Sequence, residues 1–375
     1  MRRLYAALVL SIFLIVLWPS YLRPCTTFCF KSHGDWIFGR NYDFEIEYGL
    51  VIVNKRGIVK TALMSTGAAG QPAKWVSKYG SITFNQFGRE LPLGGMNEAG
   101  LVIELMWLAE TEYPDPDERP ALRELQWIQY QLDTATTVKD VIASDRIVRI
   151  DKTSHAVHFL LCDRKGGAAA IEFLGGRMRV HTGKDLPVKA LANSTYESSL
   201  DFLKRFGADE TQPSFKQGDN SLQRFVWAAK GTQAWSVKMA EGPVAHAFHT
   251  LDKADLSNSK FRIVYDVKAG MIYFRTKSTP EVRSINFRQF DFSCGTPVKI
   301  LDMLANLKGD VTARLEDTAQ LVENFGHGFL PFVEFSRDGQ LYGLRVDVQE
   351  PAAEPVISGV LHDVEKRRGR HDESN

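Results

Sequence analysis

The fold turns on two stretches, "CTTFCF" at residues 25–30 and "WIFGRNYDF" at residues 36–44. Both are dense in aromatic and β-branched residues, with a turn-type pair, His33-Gly34, between them. They read as two successive strands joined by a tight turn. A cysteine, Cys25, opens the first. Upstream, Arg2 and Arg3 lead into the apolar run "YAALVLSIFLIVLW" (5–18), fourteen residues long. That is signal-peptide length, short of the roughly 20 residues that span a bilayer. Residues 1–24 are therefore expected to be a leader or propeptide, the mature chain to be periplasmic or secreted, and Cys25 to lie at the cut. No A-x-A motif precedes Cys25, so an uncleaved N-terminal anchor stays open. So does a lipidated Cys25 behind Leu22-Arg23-Pro24.

A cysteine that becomes residue one carries its own base. Its α-amine, ordinarily of pKa near 8, lies beside a thiol near 8.5 and can take the thiol proton directly or through water. Such a nucleophile also needs a cation for the thiolate, donors for the oxyanion and a group that fixes the amine. Arg40 and Asp43 supply the first and third if a bulge or strand end aims both at Cys25. The plain alternative is a surface ion pair at a strand end.

Composition sets wider limits. The chain has 375 residues, 44% hydrophobic and 24% charged, with 46 basic against 45 acidic side chains. This describes a globular body with no net field toward nucleic acid or acidic membranes. Four cysteines (Cys25, Cys29, Cys162, Cys294) are too scattered for a disulfide framework or a CxxC zinc site. Neither a metal nor a cofactor is expected.

Beyond the first two strands, "LVIVNKRG" (50–57), "GSITFNQFG" (80–88), "LPLGGMNEAG" (91–100) and "LVIELMWL" (101–108) are strand-like, with a Gly/Ala/Pro-rich loop at 65–74. Apolar spacing predicts a helix over 120–132, starting at Pro120, and another over roughly 137–144. A meander follows in "AVHFLLCD", "GAAAIEFLGG" and "RMRVHTG" (156–183), then helices over 195–206 and 219–230 and a hairpin over 261–276. Strands, helices, strands, helices and strands again argue for antiparallel sheets covered by helices. From about Gly295 the character changes: 297–325 reads as partly helical, "FVEFSRDGQLYGLRVDV" (332–348) as a hairpin, and the charged end from about 363 as disordered.

With those runs laid out, the chain resembles the choloylglycine hydrolase and penicillin V acylase family, linear amide C–N hydrolases of the N-terminal-nucleophile superfamily. "CTTFCF" with "FGRNYDF" carries the resemblance, joined in order by "GGMNEAGL" (94–101), "VHFLLCDRKGGAAAIEF" (157–173), "LANSTY" (191–196), "SLQRFVWAA" (221–229) and "FRIVYDVKAGMIYFRT" (261–276). It implies an α+β fold, a four-layer αββα sandwich of two antiparallel sheets, over residues 25–293, with 294–375 as a C-terminal extension. It further implies Cys25 as nucleophile, Arg40 beside its thiolate, Asp43 holding the α-amine, Asn193 as side-chain oxyanion donor and Arg224 organising the site. A second oxyanion position falls on Trp107, whose backbone N–H can serve while its indole walls the substrate pocket.

The implied reaction is hydrolysis of a small-molecule N-acyl amide through a thioester, on substrates such as penicillin V or N-acyl homoserine lactones. A bile-salt hydrolase or an acyltransferase on the same residues is the alternative, and an exported or lipid-anchored binding protein the alternative of another class. The interval from Asn193 to Arg224 is 31 residues, which resembles the Gram-negative branch of the family. A homo-oligomer is compatible with all of these readings, and no stable membrane association is expected once the leader is gone.

Other constellations read as structural. His155, His158 and Cys162 suggest a metal site or a cysteine–histidine dyad, but the run is core-like. His246 and His249, at helical i, i+3 spacing, read as core or surface rather than as a metal site. Cys29 packs as a small hydrophobe on Cys25's side of the strand, too far along it for a disulfide. Trp75, Trp127, Trp227 and Trp235 read as structural. Glu104, on a buried strand, either meets a basic partner in the site or faces solvent at an edge.

Overall fold

Strand β1 (Thr26–Ser32) and β2 (Asp35–Tyr42) form the predicted hairpin, paired from Thr26–Asn41 to Ser32–Asp35. His33 and Gly34 both have positive φ, as a two-residue hairpin turn of this hand requires. Phe28 lies opposite Gly39, and a Cβ at Gly39 would come within 2.6 Å of the Phe28 ring. The glycine of "FGRNYDF" is thus the space into which that ring packs. The computed structural model describes residues 25–44, 47–64, 68–206, 220–255, 259–317, 332–335 and 341–345. The leader and the charged tail lie outside the described residues.

Two large sheets follow. The remaining strands of the first half are β3 (Leu50–Asn54), β4 (Ser81–Asn85), β5 (Pro92–Asn97) and β6 (Val102–Trp107). The meander supplies β7 (Val157–Cys162), β8 (Ala168–Leu174) and β9 (Arg177–Thr182), and β10 (Ala190–Leu191) follows. The closing hairpin is β11 (Phe261–Asp266) with β12 (Met271–Thr276), followed by β13 (Arg283–Asn286), β14 (Lys299–Asp302), β15 (Gly309–Asp310) and β16 (Glu316–Asp317). One sheet runs β10-β1-β2-β11-β12-β13-β15 and the other β9-β8-β7-β6-β5-β4-β3-β14-β16. All these pairs are antiparallel except the short β13–β15 contact.

Helices cover both sheets. α1 (Glu124–Thr134) packs on β5 and β6, with α2 (Val138–Ala143) following it; α3 (Tyr196–Phe206) leads to α4 (Asn220–Ala234) and α5 (Pro243–Lys253). α4 lies on β1, and α5 on β2 and β11. This is the expected αββα sandwich. It explains why β3, β4, β5 and β7 are buried at every position: one face meets the other sheet and the other a helical layer. Between the sheets, Tyr265 meets Phe38 and Phe84 edge-on; in the helical layer, Trp127 of α1 packs on Phe159 of β7 with ring centroids 4.4 Å apart.

Several boundaries move. The first helix begins at Glu124 because Ala121-Leu122 pairs in parallel with Arg149-Ile150 before it. α4 runs on to Ala234, four residues past its expected end. The segment after Gly295, expected to be partly helical, instead adds strands to both sheets as far as Asp317, with a single short 3-10 turn at Thr312–Arg314. The open edge of β3 decides this: β14 pairs along it and buries Ile300 and Leu301, which a short helix would leave half exposed. Farther on, Phe332–Phe335 and Leu341–Arg345 pair as the expected hairpin.

Candidate active site

Cys25 sits at the mouth of β1, and its own backbone is held by two side chains from distant segments. Its N–H donates to Asn193 Oδ1 at 2.7 Å, and Arg224 Nη1 donates to its carbonyl oxygen. Arg224 also donates to Thr26 Oγ1 and, through Nη2, to Asn193 Oδ1, each at 2.8 Å. Asn193 is fixed in turn: its N–H donates to Ser221 Oγ at 2.8 Å and its Nδ2 to the Trp107 carbonyl at 2.7 Å. One asparagine and one arginine therefore clamp the Cys25 backbone from both sides. Burial lowers the Arg224 pKa to about 10, which leaves it a cation at neutral pH.

Arg40 and Asp43 converge as the strand-end alternative requires. β2 ends at Tyr42, so Asp43 is freed from the alternation that fixes Arg40. Both side chains are buried, which removes the surface ion-pair reading. The Cys25 thiol points at the Asp43 carbonyl oxygen, 4.0 Å away. Burial pushes the thiol pKa up; Arg40 pulls it back, Asp43 opposes that, and Arg224 adds a smaller lowering. The Asp43 carboxylate is buried, and burial raises it to about 6 although a hydrogen bond from Ser259 and the charge of Arg224 lower it. A buried carboxylate next to the nucleophile's thiol is a group that an added donor would satisfy.

Trp107 meets Asn193 through its carbonyl. Leu108 N–H bonds to Ala156, so Trp107 opposite Val157 turns its N–H and C=O away from β7. The β5–β6 ladder ends at Gly94–Glu104, so these groups face Asn193 beyond the last paired residues. The indole is half-buried and lines a cavity of about 70 Å³ that opens at Cys25. Phe44, Phe87, Leu93, Leu105 and Val157 give that cavity apolar walls.

Glu104 is the residue the sequence left undecided. It is wholly buried; one oxygen pairs with Arg40 Nη1 and the other accepts from Tyr265 Oη at 2.5 Å. Its room comes from the "GGMNEAGL" motif, since a Cβ on Gly94 would lie 2.0 Å from Glu104 Oε2. Asn97 of the same motif staples the end of α1, donating to the carbonyls of Leu132 and Ala135 at 2.9 and 2.8 Å.

The model of the linear amide C–N hydrolases, choloylglycine hydrolase family, matches residues 25–234, starting at the clamped cysteine. The chain belongs to the choloylglycine hydrolase family. Penicillin V acylase of Pectobacterium atrosepticum is 24% identical, over 62% of this chain and 72% of its own length. The structure of penicillin V acylase from Agrobacterium tumefaciens superimposes with a TM-score of 0.64 at 25% identity, covering 78% of this chain and 98% of that one. A mutant conjugated bile acid hydrolase from Clostridium perfringens shares the fold, with a TM-score of 0.59 at 16% identity over 74% of this chain and 96% of that one. A choloylglycine hydrolase family chain is a linear amide C–N hydrolase, and the two-sheet sandwich is the fold of these relatives.

The other histidines and cysteines sort differently. His158 is buried between Glu172 Oε1 and the Ala192 carbonyl, at 3.2 and 2.7 Å, which makes it a core residue. His155, read with it as core, instead lines the cavity together with Glu124. His246 and His249 do have a carboxylate: Glu241 reaches one ring with each oxygen, at 3.0 and 2.6 Å. All four cysteines are free thiols, and Cys29 is buried in the core.

Proposed function

We propose that the mature protein is an amidase in which Cys25, exposed as the first residue, cleaves N-acyl amides with an apolar acyl group. The observation carrying this is the clamp of Asn193 and Arg224 on the Cys25 backbone, with the thiol directed at Asp43. Cleavage turns the Cys25 N–H into an amine that can donate to Asp43, and Arg40 stands beside the thiolate.

The chemistry follows from these positions. The α-amine takes the thiol proton, and sulfur attacks the acyl carbon. The oxyanion is met by the second N–H of Asn193 Nδ2 and the backbone N–H of Trp107. The protonated amine passes its proton to the departing nitrogen, which leaves as the free amine. Water, deprotonated by the same α-amine, then splits the thioester to the acid and restores the thiol.

The apolar cavity walled by Trp107 supports a narrow acyl group. At about 70 Å³ it lies far below the roughly 300–1,000 Å³ typical of sites for drug-sized ligands, which favours phenoxyacetyl or linear acyl amides over fused-ring bile acids. The fourteen-residue apolar run behind Arg2-Arg3 supports export of the mature enzyme.

N-terminal sequencing of the exported protein tests the central step. A chain starting at Cys25, with activity lost in Cys25→Ser, is expected. A start elsewhere, a lipidated Cys25, or full activity in the serine variant would sink the reading and leave a binding protein on the same fold. Phenoxyacetyl, homoserine-lactone and glycine-conjugated bile-acid amides, assayed side by side, set the substrate. Acyl product trapped on an added amine would mark a transferase.

A further inference from the structure

His158 is a buried titratable residue that the proposed reaction leaves unused, although it lies next to the groups that would meet the oxyanion. On β7 it pairs opposite Met106, and its neighbour Val157 pairs opposite Trp107. Its ring reaches the other sheet: Nε2 lies 2.7 Å from the carbonyl oxygen of Ala192, the residue between β10 and Asn193. A carbonyl oxygen only accepts, so Nε2 carries a proton and donates, whatever the charge of the ring.

That carbonyl is one end of the peptide group joining Ala192 to Asn193. At the other end, the Asn193 N–H donates to Ser221 Oγ at 2.8 Å. Side chains thus hold both ends of one peptide plane, and the plane sets the direction in which the Asn193 side chain leaves the backbone. The ring is steadied from its far side. Its Nδ1 faces Glu172 Oε1 at 3.2 Å, and the same oxygen accepts from the N–H of Tyr196, the first residue of α3, at 2.8 Å.

The two donors proposed for the oxyanion come from opposite sheets. Trp107 ends β6 in the second sheet, whereas Asn193 follows β10 at the edge of the first. Their spacing therefore depends on what ties the sheets together at this point. The Asn193 Nδ2 bond to the Trp107 carbonyl is one tie, and the His158 bond to Ala192 is another. We infer that His158 is a positioning residue, holding Asn193 from the second sheet so that its Nδ2 and the Trp107 N–H converge on one oxyanion. This rests on the proposed reading of those two groups as oxyanion donors.

His158→Leu removes the donor, and His158→Gln offers an amide N–H to the same carbonyl. With one N-acyl amide and the mature enzyme, His158→Leu is expected to lower kcat at least about tenfold with KM within about twofold, as misplacement of a donor should. His158→Gln is expected to stay within about threefold of wild type. In an Asn193→Ala background the leucine substitution is expected to change kcat/KM less than about twofold, because the residue it positions is gone. An equal loss in both backgrounds, or a glutamine variant no better than the leucine one, overturns the inference. Should His158→Leu not fold, His158→Asn, polar but too short to reach Ala192, replaces it in each comparison.

A second measurement needs no turnover. In the Cys25→Ala chain carrying isotope-labelled asparagine, solvent exchange of the Asn193 side-chain amide is followed by NMR, its signal assigned by its absence in Asn193→Ala. Exchange at least about tenfold faster in His158→Leu, and near the parent in His158→Gln, is expected from loss of the hold on a hydrogen-bonded amide. Unchanged exchange in the leucine variant overturns the inference. A wild type without amidase activity but with His158-dependent exchange removes the catalytic reading and leaves the positioning of Asn193 standing. Amidase activity that Asn193→Ala abolishes, with exchange indifferent to His158, does the reverse.

Discussion

Arg40 and Glu104 form an ion pair to which water has no access, both side chains being wholly buried. The cation that lowers the Cys25 thiol pKa is thus shared with a carboxylate, and Tyr265 holds that carboxylate's other oxygen at 2.5 Å. Glu104 positions the charge of Arg40 and also dilutes it.

Glu104→Gln keeps the shape and the Tyr265 contact but removes the opposing charge. The Cys25 thiol is then expected to titrate at lower pH than in the parent, read as the pH dependence of its alkylation followed by mass spectrometry. Glu104→Ala leaves Arg40 buried and unpaired, which costs about 3–5 kcal/mol in chemical denaturation. An unchanged alkylation profile in the glutamine variant would show that Arg40 does not act on Cys25 through its charge.

Gly94 is expected to be as exacting as the pair it shelters. Its Cβ would lie 2.0 Å from an oxygen of a carboxylate that Arg40 holds at that oxygen and Tyr265 at the other, so the side chain has nowhere to retreat. Gly94→Ala should lose at least about 2 kcal/mol, in the range of overpacked cores. Placed on a Glu104→Ala background, the same substitution should cost much less, because the obstacle is gone. Additive losses in the two backgrounds would refute the steric account.

These two residues also mark where sequence stops being informative. The hairpin from Cys25 to Asp43 is legible because its apolar residues, turn pair and strand end are all local. The partners Asn193 and Arg224 lie 168 and 199 residues from Cys25, and only resemblance to a family brings them to one site. Glu104 is visible as a charge on a buried strand, yet its partner depends on how two sheets face each other. Glu124 and His155 carry no signal: one begins a helix whose apolar spacing suggests a start four residues earlier, and the other sits beside a core histidine in a run that reads as buried. After Gly295, helix-like apolar spacing is overruled by the free edge of β3, a fact of assembly that no window of residues contains.

Asp43 gives the uncleaved chain a pH signature. Its folded pKa of about 6 stands above the ordinary 3.8, so the carboxyl costs nothing when protonated and destabilises the fold as pH rises through that interval. The penalty approaches roughly 3 kcal/mol at neutral pH, at 1.36 kcal/mol per unit. In a Cys25→Ala chain that retains its leader, Asp43→Asn is therefore expected to match its parent near pH 4 and exceed it in stability above pH 6. Urea denaturation across that range reads it directly, and a constant difference would show that Asp43 does not titrate there. If Cys25 is freed as the first residue, the sign is expected to reverse, because its α-ammonium then adds a cationic donor to Asp43, and Asp43→Asn should lose both that contact and turnover.

Arg224 tests whether geometry or mere charge organises the nucleophile. Its two terminal nitrogens reach the Cys25 carbonyl, Thr26 Oγ1 and Asn193 Oδ1 at once, fixing the orientation of the asparagine that would meet the oxyanion. A lysine has one nitrogen on a flexible stem and cannot span the three acceptors; burial also favours its neutral form. Arg224→Lys should therefore lower kcat by about a hundredfold or more, the scale on which small misplacements act, with little change in KM. The cavity at Cys25, which Arg224 does not line, stays intact, so the loss is expected in the chemical step. A lysine variant within threefold of wild-type kcat would mean that a cation near Cys25 suffices and that the clamp on its backbone is dispensable.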